Sequence, residues 1–318
     1  MTFPAAAGID AGQRYLDVGL PSGTVFRTAN RPEAFPALLA RLKREGVERV
    51  VLEAIGSYTH ALVQALVQAL AAAGFAVGLV NPRRIKAFRV AEGKRAKTDR
   101  LDAGLITRFA DRMRDAFRPL PDADQVALKA LSTRRRQLTE MIAMEKTRLK
   151  QALDPLVSES HKATILALAE ACRRIEDEIE SRIAKDEQRA KNRRILLTIP
   201  GIGARVAQVL LTELPELGRS DRKAIASLAG LAPHVSQSGQ APPRAAIAGG
   251  RPCVRTALYM SALVAARHDP NLRAHYQTMR AAGKPAKVAL VAIARRILVT
   301  ANALIRQQAQ YKPDPNLA

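Results

Sequence analysis

The apolar positions of the first hundred residues change their period several times, and each change predicts an element. Ala5–Ile9 is a short apolar run, Tyr15–Leu20 alternates, and Thr24–Arg27 follows a glycine turn, which together predict three antiparallel strands. Two segments with helical spacing come next, and each is followed by an apolar run that predicts a buried strand, at Val47–Leu52 and Phe75–Val80. The predicted order is strand, strand, strand, helix, strand, helix, strand, helix.

This order of elements predicts an α/β fold of the ribonuclease-H-like class, a meander followed by right-handed crossovers. In such a sheet the first and fourth strands lie side by side at the centre. Their carboxyl ends then bring Asp10 and Glu53 together, at the edge where ligands of α/β sheets gather. The last helix, with Thr98 as its N-cap, carries Asp99 and Asp102 on one face and could lie over the same edge.

These four carboxylates are the candidate catalytic residues. Carboxylate oxygens are hard ligands that suit Mg²⁺ or Mn²⁺, so all four are also the candidate metal ligands. Two such ions can clamp the attacking and leaving oxygens of a phosphodiester displacement. Taken alone, Asp99 and Asp102 are better explained as solvated acids that complement the helix dipole, and the rest of the chain reverses this preference. Only the predicted strand order links them to the other two.

The periodicity changes again after Pro119–Pro121, which marks a predicted domain boundary. Apolar residues then recur at three and four residue spacing in two long segments, separated at Asp154-Pro155. This pattern predicts a long helical pair, coiled-coil-like in part. We predict a ribonuclease-H-like catalytic domain over residues 1–120, a helical coiled-coil connector over 121–194 and a mainly α domain over 195–318.

The third predicted domain opens with a helix-hairpin-helix pattern at Ile199–Gly203. Gly201 and Gly203 would let backbone amides approach a phosphate, which the overall charge of the chain favours over the alternative of a tight turn between two packed helices. A long glycine-rich loop follows between residues 229 and 252, and long loops in compact domains are often functional. Within it Ser238 is the candidate nucleophile and Ser236 the second choice, although a turn hydroxyl is the commoner role.

The charge of the chain indicates a polyanionic partner. Lys and Arg number 51 against 29 Asp and Glu, which gives a net charge of +22 and a pI near 10.8. Aromatic residues are only 4% and Trp is absent, so backbone contacts are favoured over base stacking. A solvated basic face is the alternative for any one run. The predicted nucleic-acid contacts are Arg83, Arg84, Lys86, Arg89, Lys94, Arg95, Lys97, Gly201, Gly203 and Arg251.

Other features narrow the class of protein. Cys172 and Cys253 match no zinc or redox spacing, and the five histidines form no ligand pattern. The N-terminus lacks the regions of a signal peptide, and the richest apolar run, Ala61–Val77, is too short and too polar to span a bilayer. We therefore expect a cytoplasmic, nucleoid-associated protein without membrane insertion.

A series of short motifs connects the two halves of the chain. They are Gly8-Ile9-Asp10, Leu52-Glu53-Ala54, Lys97–Ala103, Ile199–Gly203, Gly230–Pro233, Ser238-Gly239, Gly249–Arg251, Tyr259-Met260 and Gly283–Pro285. In this order they resemble the motifs of the IS110 family of insertion-sequence transposases. The resemblance spans nearly the whole chain, and the ordered set is specific although each motif alone is weak.

The resemblance implies a Holliday-resolvase-like first domain, a coiled-coil connector and a C-terminal transposase domain. It implies an essential serine, placed on Ser238, that attacks DNA and forms a transient phosphoserine link. It also implies a structured bridge RNA that pairs with donor and target DNA. Members act as multimers, so a homodimer or homotetramer is expected, in which the serine of one protomer completes the acidic site of another.

Two other functions remain open from the sequence. A metal-dependent junction resolvase or nuclease would use the four acids and leave the second half of the chain without a role. A non-catalytic nucleic-acid-binding protein would use the basic surface and the helix-hairpin-helix, but would leave unexplained four acids at strand ends and a helix start.

Overall fold

The computed structural model describes residues 5–53, 60–93, 99–113, 122–236 and 244–312. Among these, side chains are described for all but six residues, which are His60, Ala61, Asp99, Arg100, Ser236 and Arg244. The chain divides into two compact units, Met1–Pro121 and Asp122–Ala318.

The described part of the first unit alternates strands and helices. Its elements are β1 (Ala6–Ala11), β2 (Tyr15–Gly19), β3 (Val25–Ala29), α1 (Phe35–Arg44), β4 (Arg49–Glu53), α2 (His60–Ala72), β5 (Ala76–Val80), α3 (Pro82–Ala91) and α4 (Asp99–Arg112), with a short 3-10 turn at Pro32–Ala34 before α1.

The five strands form one mixed sheet in the order β3-β2-β1-β4-β5. β1, β2 and β3 pair antiparallel, whereas β1 with β4 and β4 with β5 pair parallel. This is the ribonuclease-H-like order predicted from the sequence, with the first and fourth strands adjacent at the centre. The parallel ends of β1 and β4 therefore meet at one edge of the sheet.

Each face of this sheet is covered by helices. Ile9, Leu52 and Leu70 are among the buried residues that pack one face against α1 and α2. Val51 and Phe109 belong to the smaller cluster that packs the other face against α3 and α4. Burial of these side chains removes apolar surface from water and holds the helices on the sheet.

Helix α3 lies where the sequence predicted only a basic segment. Its start is defined by Asn81, whose side chain accepts a hydrogen bond of 2.9 Å from the amide of Arg83, and by Pro82 in the first turn. An asparagine cap followed by proline is a normal helix start. That signal was present in the sequence but was masked by the weak amphipathic pattern of the segment.

The described part of the second unit is mainly helical. Its elements are α5 (Ala123–Gln151), α6 (Pro155–Lys185), α7 (Glu187–Leu197), α8 (Ala204–Glu213), α9 (Arg222–Leu228), β6 (Pro233–Ser236), β7 (Arg244–Ile247), α10 (Pro252–His268), α11 (Pro270–Ala281) and α12 (Ala286–Gln307).

The long helices α5 and α6 form an antiparallel pair. Arg135 is 3.1 Å from Glu176, and Glu145 is 2.6 Å from His161 further along the pair. At the other end, Leu128 of α5 is buried in the same apolar core as the helices that follow. The predicted connector therefore shares an apolar core with the C-terminal helices, within the unit Asp122–Ala318. The division of this unit into a connector and a third domain stays a prediction.

A short antiparallel hairpin, β6 with β7, replaces part of the predicted loop. Its register pairs Pro233 with Ile247 and Ser236 with Arg244. Each strand has four residues, and none of their described apolar side chains is buried, with Val235 64% exposed. Such strands lack the apolar alternation by which a sequence indicates a strand.

Helix α12 is long and apolar enough to cross a membrane by length and composition alone. Half of its apolar window is buried inside the second unit, where Ile293 and Ile297 join the core. A core helix passes the same test, so its composition is explained by packing.

Candidate active site

Two of the predicted acids lie at neighbouring strand ends. Asp10 is the fifth residue of β1, and Glu53 is the last residue of β4. The parallel ladder pairs Ile9 with Leu52, so its continuation by one residue sets Asp10 beside Glu53. Residues paired across a ladder share a face of the sheet, and this face is the one that packs against α4.

Two glycines allow α4 to rest directly on this face. Gly8 and Gly19 are partners in the β1–β2 ladder. A Cβ on Gly8 would lie 2.4 Å from the amide nitrogen of Thr107, and a Cβ on Gly19 would lie 2.8 Å from the carbonyl oxygen of Ala103. The Thr107 hydroxyl accepts a 3.0 Å hydrogen bond from the Gly8 amide. No side chain fits between the strands and the helix at this point.

A third contact fixes the direction of α4. Arg49, at the start of β4, donates a 2.8 Å hydrogen bond to the carbonyl of Ala110 near the end of the helix. Helix α4 therefore runs opposite to β1 and β4, and its first turn lies toward their carboxyl ends. This turn carries Asp102, and it begins at Asp99, whose side chain is outside the described part.

The structure adds an acid that sequence reasoning missed. Asp17 of β2 is the ladder partner of Asp10, and it is only 3% exposed. Arg27, its partner on β3, donates hydrogen bonds of 3.1 Å and 2.8 Å to the two carboxylate oxygens of Asp17. Like charges opposite each other are unfavourable, and Arg27 compensates one of them. The register of the β1–β2 ladder is the feature that identifies Asp17, and alternation along β2 does not provide it.

Asp102 also has a cationic partner. Arg89 of α3 donates a hydrogen bond to a carboxylate oxygen of Asp102, and their side chains are 15% and 6% exposed. The sequence predicted a metal at Asp102 and nucleic acid at Arg89 as separate contacts. In this structure the two residues bind each other.

Helices α3 and α4 are joined by further contacts. The rings of Phe88 and Phe109 meet edge to face at 5.4 Å. Glu92 accepts hydrogen bonds from Arg108 at 3.1 Å and from Arg112 at 2.7 Å. These contacts fix α3 beside the strand ends that carry Asp10 and Glu53 and the first turn of α4, which together we call the acidic edge.

The donor chemistry of the edge fits a hard divalent ion, because carboxylate oxygens are the ligands that Mg²⁺ and Mn²⁺ prefer. Among the residues that the structure describes, no three His, Cys, Asp or Glu side chains converge as metal ligands. The partner of Asp102 there is the guanidinium of Arg89.

The predicted basic contacts divide into two groups. Arg83, Arg84 and Lys86 are exposed on α3, and the guanidinium of Arg84 lies 5.7 Å from the ring centre of Phe109. The remaining predicted cations of this segment, Lys94, Arg95 and Lys97, lie outside the described residues.

The candidate nucleophile Ser238 lies outside the described residues, between β6 and β7. The second choice, Ser236, ends β6, and its side chain is also outside the described part. The structure therefore describes the two strands that flank the serine segment and the contact of Gly230 with Gly250 next to them, which we call the hairpin base.

Two glycine motifs meet backbone to backbone at the base of this hairpin. Gly230 has φ +69° and Gly250 has φ +66°, and a Cβ on Gly250 would lie 2.1 Å from the amide nitrogen of Gly230. The guanidinium of Arg251 binds both carboxylate oxygens of Glu216 at 2.7 Å and 2.6 Å. Arg251, predicted to contact nucleic acid, is engaged in this structure in holding the hairpin base.

The helix-hairpin-helix glycines have different surroundings. Gly201 has φ +82°, and a Cβ there would lie 2.4 Å from the carbonyl oxygen of Ser261 on α10. This close approach favours the alternative of a tight turn between packed helices. Gly203 is the exposed N-cap of α8, with open space around its Cα.

A possible competing nucleophile lies near the hairpin base. Burial raises the pKa of the Cys253 thiol, and the nearby carboxylate of Glu213 raises it further. A raised pKa keeps the sulfur protonated at neutral pH and makes it a poor nucleophile.

Comparisons with known proteins agree with the motifs. A DEDD transposase model of the IS110 family matches residues 7–158, and a model for transposases of the IS116/IS110/IS902 family matches residues 193–277. A pilin gene-inverting protein of Moraxella bovis is 28% identical over 267 residues, which cover 82% of this chain and 81% of the relative. A 43.6 kDa protein of insertion element IS110 from Streptomyces coelicolor is 34% identical over 125 residues, covering 37% of this chain and 30% of the relative.

Among solved structures, the chain is similar to Thermus thermophilus RuvC in complex with a Holliday junction substrate. The identity is 19% and the TM-score 0.29, over 37% of this chain and 100% of that chain. The two family models, matched one after the other along the chain, are the finding that assigns the sequence. The chain belongs to the IS110 family of transposases.

Proposed function

We propose that this transposase cuts and rejoins DNA with the acids of its first unit and a serine of its second unit. The observation that carries the proposal is the acidic edge: β1 and β4 end together, and α4 directs its first turn toward the same place. Family membership supports the reaction class, and the acids at this edge of the sheet support its location.

Asp10, Glu53, Asp99 and Asp102 would hold Mg²⁺ or Mn²⁺. The ion would supply positive charge that stabilises the attacking and leaving oxygens at phosphorus. The sheet contributes preorganisation, since the backbones of Asp10 and Glu53 are paired with Asp17 and Val80 and need not be ordered when DNA binds.

Ser238 is the proposed nucleophile. Its hydroxyl oxygen attacks the phosphorus, the bond to one DNA oxygen breaks, and that oxygen leaves as a DNA hydroxyl with the proton lost by serine. A hydroxyl of the second DNA then attacks the phosphoserine, joins the strands and restores the serine.

A structured guide RNA and a multimer complete the proposal. The net charge of +22 supports a nucleic-acid partner, and the pilin gene-inverting relative is named for a DNA rearrangement. The far end of the α5–α6 pair exposes apolar side chains, which supports pairing with a second copy of the chain. The most exposed of these are Met144, Leu153, Leu156 and Leu166.

The decisive experiment traps the covalent intermediate. Full-length protein is incubated with guide RNA, Mg²⁺ and nicked donor and target DNA that cannot religate, and any protein–DNA adduct is mapped by mass spectrometry. We expect an adduct on Ser238 that is lost in Ser238→Ala and in Asp102→Asn, while Asp102→Asn still binds DNA. An adduct that persists in Ser238→Ala would show that another residue is the nucleophile, and Ser236 would be tested next.

The same assay separates the alternatives. Cleavage that needs Asp102 but never yields an adduct would identify a resolvase-like nuclease. Binding without cleavage under all metal conditions would identify a non-catalytic binding protein.

A further inference from the structure

The pairing of Arg89 with Asp102 joins two surfaces with opposite chemistry. Asp102 belongs to the acidic edge, and Arg89 extends from α3, whose exposed face carries Arg83, Arg84 and Lys86. Both members of the pair are largely withdrawn from water, at 15% and 6% side-chain exposure. The pair is therefore a specific contact between the two helices and not a solvated surface ion pair.

A divalent ion and Arg89 require the same carboxylate. Asp102 is a buried acid, so removal of its cation without replacement leaves an uncompensated charge, which is strongly unfavourable. Exchange of one cation for another avoids that penalty. The guanidinium released by the exchange has lost its anion and needs a new one.

A phosphate is the anion that the surroundings of Arg89 favour. Lys86 precedes Arg89 by three residues, so the two Cβ atoms lie on neighbouring positions of α3. Guanidinium groups bind phosphate through paired N–H donors. A nucleic-acid strand on the basic face of α3 would thus lie within reach of a released Arg89.

We infer that Arg89 couples metal binding to nucleic-acid binding, by occupying Asp102 until a divalent ion replaces it and then binding a backbone phosphate. This inference rests on the proposed metal site at Asp102. Because coupling between two ligands is reciprocal, the metal strengthens nucleic-acid binding and nucleic acid strengthens metal binding by the same factor. The acidic edge then takes up its metal preferentially when the substrate is already in place.

The coupling factor is measured by binding alone, without catalysis. The dissociation constant of full-length protein for a fluorescent DNA duplex is measured by anisotropy with and without Mn²⁺, at constant ionic strength. Calorimetry gives the affinity for Mn²⁺ with and without the duplex. In the wild type we expect each ligand to improve the other by about fivefold or more. In Arg89→Ala both factors should fall to about one.

Arg112→Ala is the matched control for this loss of charge. Arg112 is an arginine of α4 that is 60% exposed and binds Glu92, which Arg108 also binds. Its removal changes the net charge by the same amount and leaves Asp102 with its partner Arg89. It should keep the wild-type coupling factor. If Arg89→Ala keeps that factor as well, the inference is wrong.

A second variant tests the idea if Arg89→Ala does not fold. Asp102→Asn cannot hold the guanidinium as an ion pair, so its DNA affinity without metal should rise to the metal-saturated value of the wild type. Asp111→Asn, the same change on the same helix, should not reach that value. Equal DNA affinities in the two variants would contradict the inference.

The two possible failures can be told apart. If Mn²⁺ binds Asp102→Asn as tightly as wild type, the proposed metal site is wrong. If Mn²⁺ needs Asp102 but the coupling is independent of Arg89, the metal site stands and only the coupling fails.

Discussion

The acidic edge and the serine hairpin are both parts of the proposed reaction, but they are built in opposite ways. Asp10 and Glu53 lie on a five-stranded sheet covered on both faces. Helix α4, which carries Asp99 and Asp102, contacts the strands without intervening side chains at Gly8 and Gly19. The hairpin has two short strands with exposed side chains, and its order comes from the crossing of Gly230 with Gly250 at its base.

The acids and the serine segment are therefore positioned by different kinds of contact. The edge is positioned by core packing, which resists displacement because a packed interior has few voids. An isolated two-stranded hairpin is at best marginally stable in water, so the hairpin depends on its base and on what it contacts. Substitutions at the two pairs of glycines should therefore produce separable defects.

The largest effect is expected from Gly8→Ala. The new Cβ would lie 2.4 Å from the Thr107 amide nitrogen, so α4 must shift away from β1. Overpacking of this kind lowers the free energy of unfolding by about 1–3 kcal/mol, and strand cleavage should be lost with it. Thermal unfolding and a cleavage assay measure both.

The control is Gly104→Ala on the same helix. Its Cβ would be 3.6 Å from the nearest atom, a side-chain carbon of Val25, which is ordinary contact. Alanine is favoured over glycine in a helix by about 1 kcal/mol, so this variant should be neutral or more stable. Equal destabilisation by the two variants would show that direct helix–sheet contact is not what Gly8 provides.

Gly250→Ala should disturb the hairpin and leave the acidic edge intact. The residue has φ +66°, which costs a side chain about 1–2 kcal/mol, and its Cβ would also meet the backbone of Gly230. We expect loss of the protein–DNA adduct with unchanged Mn²⁺ affinity. Gly249→Ala has φ +67° but open space, so it should show only the backbone cost. A fall in Mn²⁺ affinity in Gly250→Ala would show that the two regions are not separable.

The basic face of α3 is tested by replacing Arg83, Arg84 and Lys86 with alanine. Loss of up to about three phosphate contacts should flatten the dependence of log affinity on log salt by about 0.7–0.9 for each. Titration of a DNA duplex at several salt concentrations gives the slope. The matched control replaces three exposed cations elsewhere on the first unit, Arg31, Lys43 and Arg44. Equal slopes in the two triple variants would mean that α3 presents only a solvated face.

The smallest effect concerns Arg251 and Glu216, whose side chains are 23% and 27% exposed. A double-mutant cycle with alanine should give a coupling energy of about 0.5–1 kcal/mol in unfolding experiments. If Arg251 instead contacts nucleic acid, Arg251→Ala should weaken DNA binding, whereas Glu216→Ala should not. Comparing DNA affinities of the two single variants decides between the roles.

The sequence predicted those features that depend on local pattern. Apolar runs and alternation were sufficient for the strand order, and hence for Asp10 and Glu53 at adjacent strand ends. The β6–β7 hairpin was missed because its strands are short and exposed and therefore carry no apolar period.

Contacts between side chains on different elements could not be predicted, because a local sequence pattern does not determine which elements pack together. Asp17 lies beside Asp10 at the acidic edge because of the register of β1 with β2, which the sequence does not show. The pairing of Arg89 with Asp102 joins residues from two helices, each of which has a sensible separate interpretation. The role of Gly201 likewise depends on Ser261 of α10, which no spacing rule connects to it.

The contact of Gly8 with α4 fixes how far the acids of β1 and of α4 lie from one shared point. From this origin Asp10 lies two strand residues away, about 6.6 Å. The middle of the helix contact is near Leu105, from which Asp102 and Asp99 lie about 4.5 Å and 9 Å along the axis. The acids of the helix and of the strand thus lie on the same side of the contact, within about 9 Å of it along their own elements. Insertion of one residue between Asp102 and Leu105 would rotate both by about 100° and break that alignment, whereas an insertion before Asp99 would leave it unchanged.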